Sequence, residues 1–464
     1  MIFSSFTLSL REEITLAPQE QNLVLESPIR KLTFHQPKAG LQTALYALKQ
    51  GNETWNRLIK QVSETDGIES RELFEAYLEK LIELGWICHS VTPSPLSLAK
   101  AIPMAGNYQF EHYDIDWEQT AFTISRFAYL RQFEGKTLLE SPLSQSKIIL
   151  LDWRSSALIA KLAQPQTVTE LIEEIPDISE EIGKQFLYLL LATQMLSFET
   201  DEPPLVFWEF HDLLFHSRSR NGRHDYPLGG IFPFKDKIAP LPAVKPLMGD
   251  TIIKLAEPNL NQLKQTDISL TEALEKRCSI REYDETPIAA QELGELLYRC
   301  ARVKKVLDTN FGEISRRPYP GGGAIYELEL YPIVRHCTGL EMGVYQYHPL
   351  DHVLCPISEW TPEAEALIAD AWYANGQKVK PQVLLVITAR FGRISWKYRS
   401  MAYAAILKHV GVMYQTLYLV ATSMNLAPSA LGAGNSDLFA AATGIDYYEE
   451  ASVGEFMLGS VCRK

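Results

Sequence analysis

The stretch from Ser400 to Met424 carries almost no charge. Its apolar residues, Met401, Tyr403, Ala405, Ile406, Val410, Met413, Leu417, Leu419 and Val420, surround the helical wheel instead of marking one stripe. Lys408 is its only ionised residue, with His409 beside it. A long helix that is apolar on most sides is buried in a large core or an obligate interface. Lys408, His409 and Gln415 break the run well short of a bilayer span, so the pattern predicts a core helix and no membrane segment. Polar and flexible residues flank it. Lys397 and Tyr398 stand at its start, and the turn Leu431-Gly432-Ala433-Gly434 follows its end.

The N-terminal half repeats itself. Leu25-Glu26-Ser27-Pro28 recurs as Leu139-Glu140-Ser141-Pro142, an offset of 114 residues. After the first copy the pattern predicts a strand over 30–34, helices over 41–50, 54–63 and 70–84, and a strand over 85–88. In the third helix Leu73, Tyr77, Leu78, Leu81 and Leu84 recur at helical spacing, and Ser70 is placed to cap it. After the second copy it predicts a strand over 147–151, helices over 155–163, 167–174 and 179–193, and a strand over 195–199. Thr167-x-x-Glu170 and the Ser179 start both read as capped helix N-termini. Three helices with flanking strands, used twice, form a winged-helix arrangement over 1–100 and 101–200.

Winged helices usually suggest DNA. Here the third helices read SRELFEAYLEKLIELG and SEEIGKQFLYLLLATQ, without the Arg, Lys, Asn or Gln face that reads bases and phosphates. A peptide taken up by strand addition is the partner this pattern favours. Residues 201–250 follow as a connector, where seven prolines from Pro203 to Pro246 forbid long elements. His211, His216 and His224 in this connector lack metal-ligand spacing, so no metal site is expected.

Length and charge narrow the function classes. A chain of 464 residues is too long for one core, and two or three domains are expected. A formal charge of −13 argues against a nucleic-acid partner, since neutralising phosphates takes an excess of Lys and Arg. Six cysteines, with no C-x-x-C pair, suggest neither a zinc site nor a disulfide framework. No secretory pattern follows Met1, and a cytoplasmic setting is the simplest expectation.

From Thr251 onward the chemistry concentrates. Arg277, Ser279 and Arg281 form a compact donor set of phosphate grade. Arg316-Arg317-Pro318-Tyr319-Pro320-Gly321-Gly322-Gly323-Ala324 offers three glycines whose backbone can approach a ligand. Strands are expected over 327–334 and 383–389. No G-K-[ST] follows either glycine cluster, and neither fits a dinucleotide fingerprint.

In this order, R-x-S-x-R, P-G-G-G-A-I-Y, a Lys-Tyr pair, a long apolar helix with Gln415, and L-G-x-G, the C-terminal half resembles the flavin-dependent nitroreductase superfamily. Gly343-Val344-Tyr345-Gln346-Tyr347-His348-Pro349 and the connector run from Phe210 to Arg220 narrow the resemblance to SagB-type dehydrogenases, the azoline oxidases. The tandem N-terminal modules resemble those of cyanobactin oxidases. The resemblance implies an α+β architecture: a nitroreductase-like FMN domain over 251–464, in an interlocked homodimer, behind two winged-helix-like peptide-binding modules. It implies that Arg277, Ser279 and Arg281 hold the FMN phosphate and ribityl chain. Pro320, Gly321, Gly322 and Gly323 approach the flavin, from the other subunit. It also implies that Gln415 lies near the cofactor, that Ala430, Leu431 and Gly432 offer backbone groups to the ring, and that Arg463 is the candidate for a basic residue on the phosphate. The family's usual serine is Gly321 here, which leaves a hydroxyl contact at that position in doubt.

The implied reaction turns a thiazoline or oxazoline of a heterocyclised precursor peptide into a thiazole or oxazole. It needs a hydride acceptor and a base. Either Lys397, with its pKa lowered by burial or neighbouring cations, or Tyr398, with the lysine steadying its phenolate, takes the proton; the sequence leaves both open. Two other readings share the fold: an NAD(P)H-dependent nitro or quinone reductase, and a non-catalytic flavin-binding scaffold of a peptide-modifying complex.

Overall fold

The computed structural model describes residues 5–51, 53–92, 97–104, 106, 108–197 and 203–462. The chain divides into two compact units, 1–226 and 227–464. The proline-rich stretch is therefore shared between them.

The first unit begins with strands β1 (Thr7–Leu10), β2 (Thr15–Gln19), β3 (Asn22–Glu26) and β4 (Lys31–Phe34), then helix α1 (Ala39–Gln50), strand β5 (Glu53–Thr54), and helices α2 (Trp55–Asp66) and α3 (Ser70–Glu83). Strands β6 (Ile87–Val91), β7 (Ala99–Pro103), β8 (Thr123–Ile124), β9 (Tyr129–Phe133), β10 (Lys136–Glu140) and β11 (Ser146–Leu150) follow. Helices α4 (Trp153–Lys161), α5 (Val168–Ile172) and α6 (Glu180–Ala192), strand β12 (Leu196–Ser197) and helix α7 (Phe210–Arg218) complete it.

The repeat is visible as β2-β3-β4-α1-α2-α3 followed by β9-β10-β11-α4-α5-α6. The two hairpin turns even share a left-handed residue at the same offset, Glu20 (φ 56°) and Glu134 (φ 50°). Thr167 and Glu170 make the expected capping box, and Ser179 caps α6. Ser70 does not cap α3. Glu69 before it is already helical, and the Ser70 hydroxyl donates back to the Asp66 carbonyl at 3.1 Å. Asp66 instead caps α1 from a distance, accepting from Gly40 N and Leu41 N at 2.7 and 2.8 Å. Arg218 of the connector run and Arg223 just beyond it donate to the carbonyls of Ser141, Pro142 and Leu143 and clamp the turn of the second copy.

The two copies differ at one edge. Strands β2-β3-β4 form a separate sheet with β4 at its end. The equivalent strand of the second copy, β11, is flanked by β7 within a seven-stranded sheet ordered β5-β1-β6-β7-β11-β10-β9.

The second unit opens with the short strands β13 (Gly229–Gly230) and β14 (Ile253–Lys254) and helices α8 (Leu260–Thr266), α9 (Leu270–Lys276) and α10 (Ala290–Ala301). It continues with β15 (Lys305–Thr309), β16 (Gly312–Arg316), β17 (Leu328–Val334), β18 (Gly343–His348), β19 (Val353–Glu359), α11 (Pro362–Ala374) and β20 (Val383–Arg390). It ends with α12 (Phe391–Ser395), β21 (Tyr398–Arg399), α13 (Ala402–Ser423), β22 (Leu426–Leu431), α14 (Ser436–Thr443) and β23 (Glu450–Ser460). The sheet, ordered β14-β19-β18-β17-β20-β23-β22, is antiparallel throughout.

Both faces of this sheet are covered, which is why its strands read as continuous apolar runs. Along β20, Leu385 and Ile387 pack with Leu293 of α10 and Met413 of α13, while Leu384 and Val386 pack with Ile368 of α11 and Phe439 of α14. The expected apolar helix is α13. Ala405, Ile406, Val410, Met413, Leu417 and Ala421 of α13 are buried, whereas Tyr403 and Leu407 stay exposed at 47% and 42%. No described helix is long and apolar enough to cross a membrane.

Candidate functional site

Lys397 and Tyr398 owe their position to a strand too short to see in sequence. Tyr398 pairs with Gly230 and Arg399 with Gly229, while the Lys397 carbonyl accepts from Phe232 N at 3.1 Å. This pairing aims both side chains at the glycine turn after Pro320. Lys397 Nζ donates to the Gly323 carbonyl at 3.3 Å. A Cβ on Gly323 would collide with Lys397 Nζ and lie 2.6 Å from the Tyr398 hydroxyl, and Gly323 itself has φ +62°. Gly321 and Gly322 are less tightly confined, a Cβ there lying 3.0 Å from the Tyr326 ring and 3.1 Å from His409 Nε2. Gly323 is thus demanded by the chain's own side chains.

Two residues that the family pattern did not single out complete this cluster. His409 of α13 accepts from Gly322 N at 2.8 Å through Nε2, and its Nδ1 lies 2.6 Å from Glu327 Oε1. Glu327 is fully buried just before β17. His409 stood out in sequence only as a polar break in an apolar run; Glu327 gave no signal, because its meaning comes from a partner 82 residues away. Arg393 was also missed. Its buried guanidinium donates to the carbonyls of Ile325, Leu241 and Glu313 at 2.6, 2.6 and 2.9 Å, which pins the end of the glycine turn. Burial, with help from Arg390 and Arg317, lowers its pKa to about 10.

Electrostatics separates the candidate bases. Burial lowers the Lys397 pKa and so favours the free amine. Burial raises the Tyr398 pKa, and the nearby Glu327 charge adds to it. The pair is therefore pushed toward neutral amine and neutral phenol.

The second group of candidates gathers at the other end of α13. Ser279 Oγ is 2.7 Å from the Tyr418 hydroxyl, which accepts from Ala430 N at 2.8 Å. The Arg277 guanidinium lies over the Tyr418 ring, 5.2 Å from its centre. Arg281 is exposed beside this segment. The Tyr414 hydroxyl donates to the Leu431 carbonyl at 3.2 Å, one turn before Tyr418 on the same helix. Gln415 is exposed on α13 and Gly432 is exposed beyond β22. Arg463 lies outside the described residues.

The two groups lie apart along α13. His409 and Tyr418 are nine residues apart on α13, which is about 13 Å at ~1.5 Å per residue. The phosphate-grade group fits a flavin mononucleotide by its chemistry. Two guanidinium groups and a hydroxyl stand on one extended segment, and a Cβ at Gly432 would meet nothing within 4 Å, which leaves room beside the Ala430–Gly432 backbone. Among the described residues, no group of three or more His, Cys, Asp or Glu is arranged to hold a metal ion.

Three family models match the chain. One described as the ThcOx helix turn helix domain matches residues 2–112, one described as cyanobactin oxidase ThcOx matches 122–225, and one described as the nitroreductase family matches 274–460. A nitroreductase-like protein of Methanocaldococcus jannaschii is 31% identical over 186 residues, which is 40% of this chain and 86% of that protein. The microcin B17-processing protein McbC of Escherichia coli is 32% identical over 133 residues, 28% of this chain and 48% of that protein. Among solved structures, a nitroreductase-like protein of Ralstonia eutropha is similar at 21% identity and a TM-score of 0.37, over 52% of this chain and all of that one. A structural likeness at that level carries no argument about activity.

Proposed function

Because the chain belongs to the nitroreductase superfamily and carries the N-terminal modules of the cyanobactin oxidases, we propose that it is an FMN-dependent azoline oxidase acting on a heterocyclised peptide. The observation that carries this reading is the meeting of Lys397 and Tyr398 at Gly323. It places a partly buried amine and a phenol at a turn fixed by buried partners.

Arg277, Ser279 and Arg281 would hold the phosphate, with Ala430, Leu431 and Gly432 along the ring. When bound, FMN supplies the hydride acceptor that aromatisation requires. Lys397 takes the proton from the ring carbon next to the peptide carbonyl. Its lowered pKa keeps more of it as free amine near neutral pH. Tyr398 keeps its proton and donates a hydrogen bond to the substrate. The Gly323 carbonyl fixes the direction of the amine.

The site is completed in a homodimer, where the glycine turn of one subunit faces the phosphate-grade half of the other. The separation of the two halves on α13 and the exposed Tyr403 and Leu407 support this. The peptide is taken by the first module. Ser27 N donates to Arg30 O at 2.8 Å, so by alternation the backbone groups of Lys31 and Thr33 turn toward the open side of β4. Strand addition there suits an extended peptide. In the second module β7 already fills that place.

The test is to incubate the purified protein with a thiazoline-bearing peptide and follow its mass. Loss of about two hydrogens is expected, one leaving as hydride and one as proton. Unchanged peptide with rapid NAD(P)H-driven nitro reduction would point to a reductase, and peptide binding without either reaction to a scaffold.

A further inference from the structure

Resting on that reading, we propose that Glu327 and His409 are a positioning pair, setting the Lys397 amine through the Gly322–Gly323 turn. A backbone N–H can only donate, so Gly322 N at 2.8 Å requires His409 Nε2 to be an unprotonated acceptor. The ring proton then sits on Nδ1, which donates to Glu327 Oε1 at 2.6 Å. Glu327 therefore fixes both the tautomer and the plane of the imidazole. The imidazole fixes the Gly322 amide, and one residue further on the Gly323 carbonyl accepts from Lys397 Nζ. A relay of three hydrogen bonds runs from a buried carboxylate to the amine.

The cost of this arrangement argues that it is not ordinary packing. Glu327 is 0% exposed, and its Oε2 has no hydrogen-bond partner among the described residues. An ionisable group buried with half its acceptors unused is expensive, and an apolar side chain would stabilise the same place more cheaply. Its backbone is held independently, since Arg390 N donates to Glu327 O at 3.0 Å. What the carboxylate adds is the orientation of His409. The same charge helps to raise the Tyr398 pKa, so it also keeps the phenol in its donating form.

The test uses the full-length FMN-loaded protein and the variants His409→Ala, His409→Gln and Glu327→Gln. Glutamine at 409 has an amide oxygen to accept from Gly322 N, and glutamine at 327 retains an acceptor for Nδ1–H. One readout needs no turnover: acetylation of Lys397 by acetic anhydride, followed by mass spectrometry. His409→Ala should free the amine and change its labelling rate severalfold, whereas both glutamine variants should label close to wild type. The other readout is anaerobic flavin reduction by a thiazoline peptide. His409→Ala should slow the limiting rate of flavin reduction about 10–100-fold, the scale expected for a misplaced reacting group, with the half-saturating peptide concentration nearly unchanged. His409→Gln should recover most of that loss. In a Lys397→Ala background His409→Ala should add nothing. Equal labelling in all variants, or full additivity with Lys397→Ala, would overturn the pair. Labelling that responds in a protein inert toward azolines would instead sink the oxidase reading and leave the positioning intact.

Discussion

Lys397 Nζ donates to the carbonyl of Gly323 at 3.3 Å, across 74 residues of sequence. The contact joins a two-residue strand to a glycine turn and is the closest link between the proposed base and the backbone that orients it. It makes Gly323 a sensitive position, since the left-handed backbone and the crowding by Lys397 and Tyr398 both forbid a side chain.

Gly323→Ala should therefore fold with modest loss and fail in chemistry. A non-glycine residue in the left-handed region costs about 1–2 kcal/mol, a fall in Tm of roughly 2–8 °C for a unit of this size. Flavin reduction should slow by about 100-fold, as for a reacting group displaced by an ångström. Thermal melting and anaerobic stopped-flow absorbance check the two halves. A variant as fast as wild type would remove the turn from the site.

The pH dependence distinguishes the two candidate bases. A basic amine works deprotonated, so the rate should rise with pH through the Lys397 pKa, which burial holds below the ordinary lysine value. If Tyr398 were the base, the rise would come above the ordinary tyrosine value, because burial and Glu327 push that group up. A single-turnover pH profile between pH 6 and about 11 reads this directly. Loss of the limb in Lys397→Ala, and its retention in Tyr398→Phe, is the expected pattern.

Cofactor retention and assembly should separate. Arg281→Ala should weaken FMN binding in a protein that remains dimeric, through loss of a charge-assisted contact to phosphate. Leu407→Asp places a charge on the exposed face of α13 and should yield monomers that release FMN. Light scattering with flavin absorbance on the same fractions checks both. A monomer that keeps its flavin would contradict a site shared between subunits.

Peptide affinity should depend on the first module alone. Thr33→Pro removes an outward backbone donor of β4 without touching its pairing to β3, and should weaken peptide binding about tenfold. Titration by fluorescence anisotropy against a labelled precursor peptide measures it. Undiminished affinity would exclude strand addition at β4.

Much of this was legible before the fold was seen. The nearly uncharged run 400–424 became α13, Thr167 and Glu170 formed their capping box, and the Leu-Glu-Ser-Pro repeat marked two equivalent hairpins with matching left-handed glutamates. These signals are local, set by periodicity and capping within a few residues. What stayed hidden depends on tertiary pairing. Nothing in Ala99–Pro103 says that β7 will flank β11, and Ser70 lost its cap because the preceding turn is already helical. The Lys-Tyr pair was visible as a motif, but Glu327, His409 and Arg393, which fix the turn it meets, were not. Each acts through a backbone group or a side chain brought close only by the fold.

The most direct measurement is the rate of anaerobic flavin reduction by a thiazoline peptide in Lys397→Ala and Tyr398→Phe proteins shown to hold FMN and to remain dimeric. A positioned base is typically worth ~10²–10⁴-fold, so Lys397→Ala should fall by that much, while peptide affinity is unchanged. The double variant should be little slower than the slower single one, because the two act as a unit at Gly323. Wild-type rates in both single variants would contradict the assignment of the proton to this pair.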